Sequence, residues 1–185
     1  MVKTFFVLSL FVFFFFASIA KEASSAQKVY IHSAEKITPK VDQKKDLRVT
    51  ILKEYLKRQN SPLQDDAETL VKEADKNNLD WRLVAAISGV ESTFAHELPY
   101  NSYNAWGWGI YGDNMIFFKS YREGIEIISK SLREQYINKW GAKDVYQIGS
   151  FYAASKTWAQ RVNMFMGKIE EFAMNNPEYS ISISL

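Results

Sequence analysis

Apolar residues recur at helical spacing over most of the chain from Asp46 onward. Leu47, Ile51 and Tyr55, flanked by Leu52 and Leu56, make one stripe. The helix they predict stops by Ser61-Pro62, because proline restricts the backbone of the residue before it. Leu63, Ala67, Leu70, Val71 and Ala74 mark the buried face of a second helix, from about Leu63 to Asn78. The stretch from Asp80 to Glu91 differs in kind. Trp81, Leu83, Val84, Ala85, Ala86, Ile87 and Val90 leave it almost no polar face, which predicts a helix inside a core. Asp80 is its candidate N-cap, and a carboxylate, Glu91, closes its far end.

After Glu91 the pattern breaks. Residues 92–105 are rich in turn formers. Residues 106–118 place aromatic and β-branched side chains on both sides of Gly112-Asp113-Asn114, which predicts a short β-hairpin. Ser120 and Glu123 form a Ser-x-x-Glu capping box. The helix it opens carries Tyr121, Ile125, Ile128, Leu132 and Tyr136, and ends near Trp140-Gly141, where glycine suits a left-handed position. A short helix from Asp144 to about Tyr152 follows. A last one begins near Ser155-Lys156-Thr157, with Trp158, Val162, Phe165, Ile169 and Phe172 as its stripe. The tail after Pro177 alternates apolar and serine residues, as a frayed end or a weak strand would.

The pattern therefore predicts a mostly α, α+β domain over 46–173, followed by a tail over 174–185. The residues before it are of two other kinds. In residues 1–20, Lys3 precedes a long apolar run that ends in small residues, the make-up of a signal peptide, with a retained membrane anchor as the rival reading. Residues 21–45 are polar, lysine-rich and aperiodic, as a linker is. The 46–173 domain is thus expected outside the cytoplasm, secreted or in the cell envelope, with membrane association through the N-terminus if that segment is kept. The formal charge is +2, and losing residues 1–20 removes the cation Lys3 and no acid, leaving +1; this balance argues against a nucleic-acid partner. The chain has no cysteine and two histidines, His32 and His96, which leaves little material for a zinc site or a serine–histidine triad. A monomer with no cofactor and no metal is the expectation.

Glu91 is the residue with chemistry in it. An acid at the end of a buried helix is desolvated and also faces the negative end of the helix dipole. Both disfavour the charged form and raise the pKa, the direction a general acid near neutral pH requires. Two other clusters can join it: the segment from Asn101 to Phe118, and Phe151-Tyr152-Ala153-Ala154-Ser155 between the last two helices. Tyr103, Trp106, Trp108 and Tyr111 can stack on sugar faces or fill the core of the hairpin. Asn101 and Asn104 are turn residues first and ligand contacts second. Tyr152 can line a cleft or be buried.

Taken in order, three motifs resemble the lysozyme-like peptidoglycan-cleaving superfamily. They are Glu91-Ser92-Thr93-Phe94, Asn104-Ala105-Trp106-Gly107-Trp108-Gly109, and Phe118-Lys119-Ser120-Tyr121-Arg122-Glu123-Gly124-Ile125. The nearest likeness is to the bacterial glucosaminidase family of autolysins and flagellar muramidases. Phe151 to Ser155 also looks like a segment of soluble lytic transglycosylases. The likeness runs from about Ser61 to Phe172. It implies a helical lobe and a small hairpin lobe flanking a cleft, with a peptidoglycan strand as partner. It further implies Glu91 as catalytic acid, Tyr152 near the scissile bond, and cleft wall from Asn104 to Gly109. Ser92, Asn101, Tyr103, Asn104, Trp106, Trp108 and Tyr111 are then the expected substrate contacts.

The chain departs from the family at two places. Ala95 stands where a glycine is expected, which is tolerable if the backbone there does not need a positive φ. The hairpin offers only Asp113 as a second carboxylate, whereas two-carboxylate glycosidases need a pair at defined separation. Without Asp113, the substrate's N-acetyl group or its muramic acid 6-hydroxyl would act as the internal nucleophile. The expected activity is hydrolysis of β-1,4 bonds of the cell-wall glycan by an endo-β-N-acetylglucosaminidase. The alternatives are a lytic transglycosylase that leaves anhydromuramic ends, a non-catalytic glycan-binding module, and an anchored scaffold.

Overall fold

The stripes of the sequence become six α-helices among the residues that the computed structural model describes, which are 46–109, 116–176 and 179. All of these lie in one compact unit, Asp42–Leu185. The helices are α1 (Leu47–Arg58), α2 (Ala67–Lys76), α3 (Leu83–Ser92), α4 (Tyr121–Ser131), α5 (Val145–Tyr152) and α6 (Trp158–Met174). The fold is mostly α. The apolar run of residues 1–20 lies outside the described residues, among which no helix is long and apolar enough to cross a membrane.

Helix α3 is the centre. Leu83 to Gly89 are all buried, and α6, α2 and α4 pack around it, most extensively α6. A helix with no polar face has nowhere else to go. The amphipathic helices around it turn their stripes inward: Ile51, Leu52, Tyr55 and Leu56 from α1, Leu70, Val71 and Ala74 from α2, Ile125 and Ile128 from α4, and Val162 and Ile169 from α6.

The element boundaries differ from the periodic reading where side chains intervene. The second helix starts as a 3-10 turn, Pro62–Asp66, because Pro62 lacks an N–H and Ser61 Oγ accepts from Leu63 N at 3.1 Å. Asp80 caps a turn before α3 rather than α3 itself, its Oδ1 accepting from Arg82 N at 2.9 Å. At the start of α4, Ser120 Oγ accepts from Glu123 N at 3.2 Å, and Glu123 reaches back to Lys119 N. Beyond Ser131 the helix widens into a π-helical segment, Leu132–Lys139, which ends at Trp140 and the left-handed Gly141 (φ 76°). In the tail, Tyr179 is buried against Phe172, with ring centroids 6.3 Å apart.

No strand occurs among the described residues, so the expected hairpin lobe is not seen. Residues 106–109 and 116–118 are turns and irregular chain, and the turn carrying Asp113 lies outside the described residues. Side chains hold this loop instead of a ladder. Asn104 Nδ2 donates to Trp108 O (2.8 Å) and Ile116 O (2.9 Å), while Asn104 Oδ1 accepts from Trp108 N (2.9 Å). Phe118 N donates to Ser102 O at 2.8 Å.

The end of α3 is unusual. Thr93, Phe94 and Ala95 have φ of 53°, 58° and 69°, consecutive left-handed residues with no glycine among them. The condition under which alanine is harmless at position 95 is therefore not met, since a left-handed non-glycine residue costs roughly 1–2 kcal/mol. Neighbours impose the turn. Phe94 is buried edge-on to Tyr55 and Phe165, at 5.9 and 5.0 Å between centroids. Phe94 N donates to Ser88 O (3.1 Å), Phe94 O accepts from Ser61 Oγ (2.8 Å), and Ala95 N donates to Ser92 Oγ (2.9 Å). Ala95→Gly should raise unfolding free energy by about 1 kcal/mol by relieving the backbone. Urea unfolding checks it, and an unchanged or lower stability would mean that the turn carries no strain.

Candidate active site

Glu91 lies in the last turn of α3, partly buried. Its Oε1 accepts from Trp158 Nε1 at 2.5 Å. Trp158 is buried at the first position of α6, where Gly149 of α5 lets it approach; a Cβ at Gly149 would lie 2.9 Å from the indole. The other oxygen faces Gly107. A Cβ there would lie 2.9 Å from Glu91 Oε2, and Gly107 has a φ of 60°. Glycine is thus required twice, for the backbone angle and for open space at the carboxylate.

The loop that carries Gly107 is brought over Glu91 by three side chains. Ser92 Oγ shares its hydrogen between Ala105 O (2.8 Å) and Ser88 O (3.1 Å). Trp106 is fully buried, and its Nε1 donates to Val84 O at 3.0 Å. Tyr152 donates its hydroxyl to Trp106 O at 2.7 Å, and its ring stacks on Trp158 with centroids 4.7 Å apart and planes at 23°. Trp108 leans on Tyr152 from the loop side, 5.9 Å between centroids.

The electrostatics follow from this packing. Burial pushes the Glu91 carboxyl above its usual range, while the Trp158 N–H and the charge of Arg161 pull the other way; the net direction is up. Arg161 also donates to Val90 O at 3.4 Å, putting a cation at the negative end of α3. Burial, with the nearby Glu91 charge next, raises Tyr152 well above the ordinary phenol value, so its hydroxyl stays protonated and donating. The arrangement disfavours the charged carboxylate and orients it, with one oxygen on Trp158 and the other beside Gly107.

The expected site residues divide. Glu91, Tyr152 and Trp108 come together. Ser92, Asn104 and Trp106 face inward. Their side chains are buried and hydrogen-bonded within the domain, where they brace the loop that carries Gly107. Tyr103 is exposed and stands edge-on to Tyr121 at 5.1 Å, and Asn101 is an exposed left-handed turn residue (φ 57°). Neither is drawn to Glu91 by any of these contacts. Tyr111 and Asp113 lie outside the described residues. His96 Nε2 donates to Gln59 O at 2.8 Å, on an exposed loop. Trp158, Gly107 and Arg161 are contributions the periodic pattern did not mark. Trp158 reads there as one more core residue, and only its indole N–H distinguishes it.

No family model, curated protein or solved structure matches the chain.

Two outcomes test the site. Relative to the ordinary 4.5, a raised folded pKa means that the folded state keeps a proton which the unfolded state releases. The resulting stabilisation is complete below the unfolded pKa and is lost as pH rises through the folded one. Glu91→Gln removes this titration, so its stability relative to wild type should increase as pH rises from the ordinary carboxyl value of 4.5 through the raised folded pKa in urea unfolding; a constant difference would mean that Glu91 is not desolvated. Trp158→Phe removes the donor to the carboxylate, so the Glu91 pKa should move up further in a carboxyl NMR titration.

Proposed function

We propose that this protein is an exported, lysozyme-like peptidoglycan-cleaving glycosidase of the endo-β-N-acetylglucosaminidase type, with Glu91 as its general acid. The observation that carries the reading is Glu91 itself: desolvated at the end of a core helix, held at one oxygen by Trp158, and approached at the other by Gly107, which has no side chain to cover it. Breaking a glycosidic bond requires a proton on the leaving oxygen, hence a carboxyl that is neutral at working pH. With the Trp158 N–H directed at Oε1, the proton belongs on Oε2, the oxygen on the Gly107 side. The proton passes from Oε2 to the glycosidic oxygen as the C1–O bond breaks. The substrate's N-acetyl oxygen supplies the electron pair to C1, a substrate-assisted route outside the two-carboxylate pattern. Water then adds to C1 and returns a proton to Glu91. Asp113 is the alternative second carboxylate.

Tyr152 supports a second reading. Its ring stacks on Trp158 beside the acid, and lytic transglycosylases carry a tyrosine in the corresponding segment. In that chemistry the muramic acid 6-hydroxyl attacks C1 in place of the N-acetyl oxygen, and an anhydro end results. The export signal read in residues 1–20 would deliver either enzyme to the cell wall.

Purified residues 21–185 should release soluble fragments from peptidoglycan, and Glu91→Gln should lower the rate by about 100-fold or more. Equal rates would remove Glu91 from the chemistry, and binding without release would make the domain a glycan-binding module. Mass analysis of the ends separates the enzymes, since reducing N-acetylglucosamine marks the hydrolase and anhydromuramic acid the transglycosylase. Activity should also fall as pH rises through the elevated Glu91 pKa, because the acid form is lost.

A further inference from the structure

The ring contacts do not stop at Glu91. Trp158 stacks on Tyr152, and Tyr152 meets Tyr136 at 5.7 Å between centroids. Trp108 closes a triangle with these two tyrosines, 6.0 Å from Tyr136. Tyr136 in turn carries Trp140 at 4.8 Å and Phe151 at 6.5 Å, and those two rings meet each other at 5.2 Å. The run thus begins at the indole that holds the carboxylate and ends in two rings open to solvent, Trp140 at 44% exposure and Phe151 at 50%.

Single exposed aromatics are ordinary on a protein surface. This pair is different because it is seated. Tyr136 beneath it is buried, and the π-helical segment closes directly on Trp140, whose N donates to Gln135 O at 2.9 Å. Gly141 N and Ala142 N then donate to Ile137 O (3.1 Å) and Tyr136 O (2.9 Å), which fixes the turn after it. Phe151 is held from the other side by α5, one residue before Tyr152. π-Helical insertions are frequent at functional sites. Two rings fixed in this way lose little freedom on meeting a ligand.

We propose that Trp140 and Phe151 form a distal platform for the same polysaccharide strand that reaches Glu91, stacking on a sugar unit away from the bond that is cut. The inference rests on the glycan-cleaving reading for the identity of the occupant. Continuity with the Glu91 site selects a polymer over a separate partner, since the partly exposed Trp108 and Tyr152 lie in the run between the acid and the pair, seated on the buried Trp158 and Tyr136. The exposed polar neighbours in the chain, Lys139, Lys143, Gln147 and Ser150, suit a hydroxyl- and amide-bearing strand better than an apolar protein face or a bilayer interior.

The test separates binding from cutting. Glu91→Gln protein is titrated onto insoluble peptidoglycan, with and without Trp140→Ala/Phe151→Ala. Loss of the platform should weaken binding about tenfold, equivalent to about 1.4 kcal/mol. Trp140→Tyr/Phe151→Tyr should restore most of the affinity, which a merely misfolded alanine variant could not explain. Tyr146→Ala, at an exposed ring of α5 outside the run, should bind as the parent does. In the active background the alanine pair should raise KM on long strands more than it lowers kcat. Unchanged binding and KM would overturn the platform, as would equal losses in the tyrosine pair or in Tyr146→Ala. Platform-dependent binding by a wild type that releases no fragments would uphold the platform and overturn the catalytic reading.

Discussion

The termination of α3 is the constraint on which the rest depends. A helix with apolar residues on every face is drawn into the core, and its last turn goes with it. Had the helix continued, the residues after Glu91 would have followed the same line. Instead the chain reverses through three left-handed residues, Thr93 to Ala95, pinned by Ser92, Ser61 and the buried ring of Phe94. The strain there is offset by packing, in the way that strained backbone persists only where its surroundings over-determine it. The reversal returns the chain so that Ala105, Trp106 and Gly107 lie across the carboxylate it has just left.

One hydroxyl links both halves of this device. Ser92 Oγ receives the Ala95 N–H that stabilises the turn and donates toward Ala105 O, which anchors the returning loop. The pairing of a glutamate with a serine at a helix end then has a mechanical meaning. The acid faces Gly107, and the serine beside it fastens the loop that carries that glycine. Trp106 and Tyr152 secure the next residue from below and from the side, so Gly107 is fixed from several directions at once. Preorganisation of this kind is what a proton donor requires, because its geometry must not be assembled at the moment of reaction.

The aromatic side chains divide by depth. Trp106 and Trp158 are fully or nearly fully buried, and each directs its indole N–H to one acceptor, a backbone carbonyl and the carboxylate respectively. Tyr152, Trp108 and Tyr136 form the middle of the run, and Trp140 and Phe151 form its solvent edge. A buried indole without an acceptor would be costly, so the Trp158–Glu91 contact satisfies both partners. It also holds the carboxyl in one orientation while burial keeps its pKa up.

The sequence by itself determined the helices, the buried character of α3, the carboxylate at its end and the loop that follows. These are properties of nearest neighbours and of periodicity, and each residue's type carries them directly. It also marked Tyr152 and Trp108 as candidates, Tyr152 through the family resemblance and Trp108 because an aromatic ring can stack on a sugar face. Only the tertiary structure decided that Asn104 and Ser92 are internal braces, since an amide or hydroxyl looks the same in sequence whether it faces a ligand or a carbonyl. It alone decided that Ala95 is left-handed, because Phe94 and Ser61 impose that angle from other parts of the chain. And it alone joined Trp158 to Glu91. Two residues so distant in the chain meet only once α6 is packed on α3, and a core tryptophan carries no sign of which acceptor its one N–H will find.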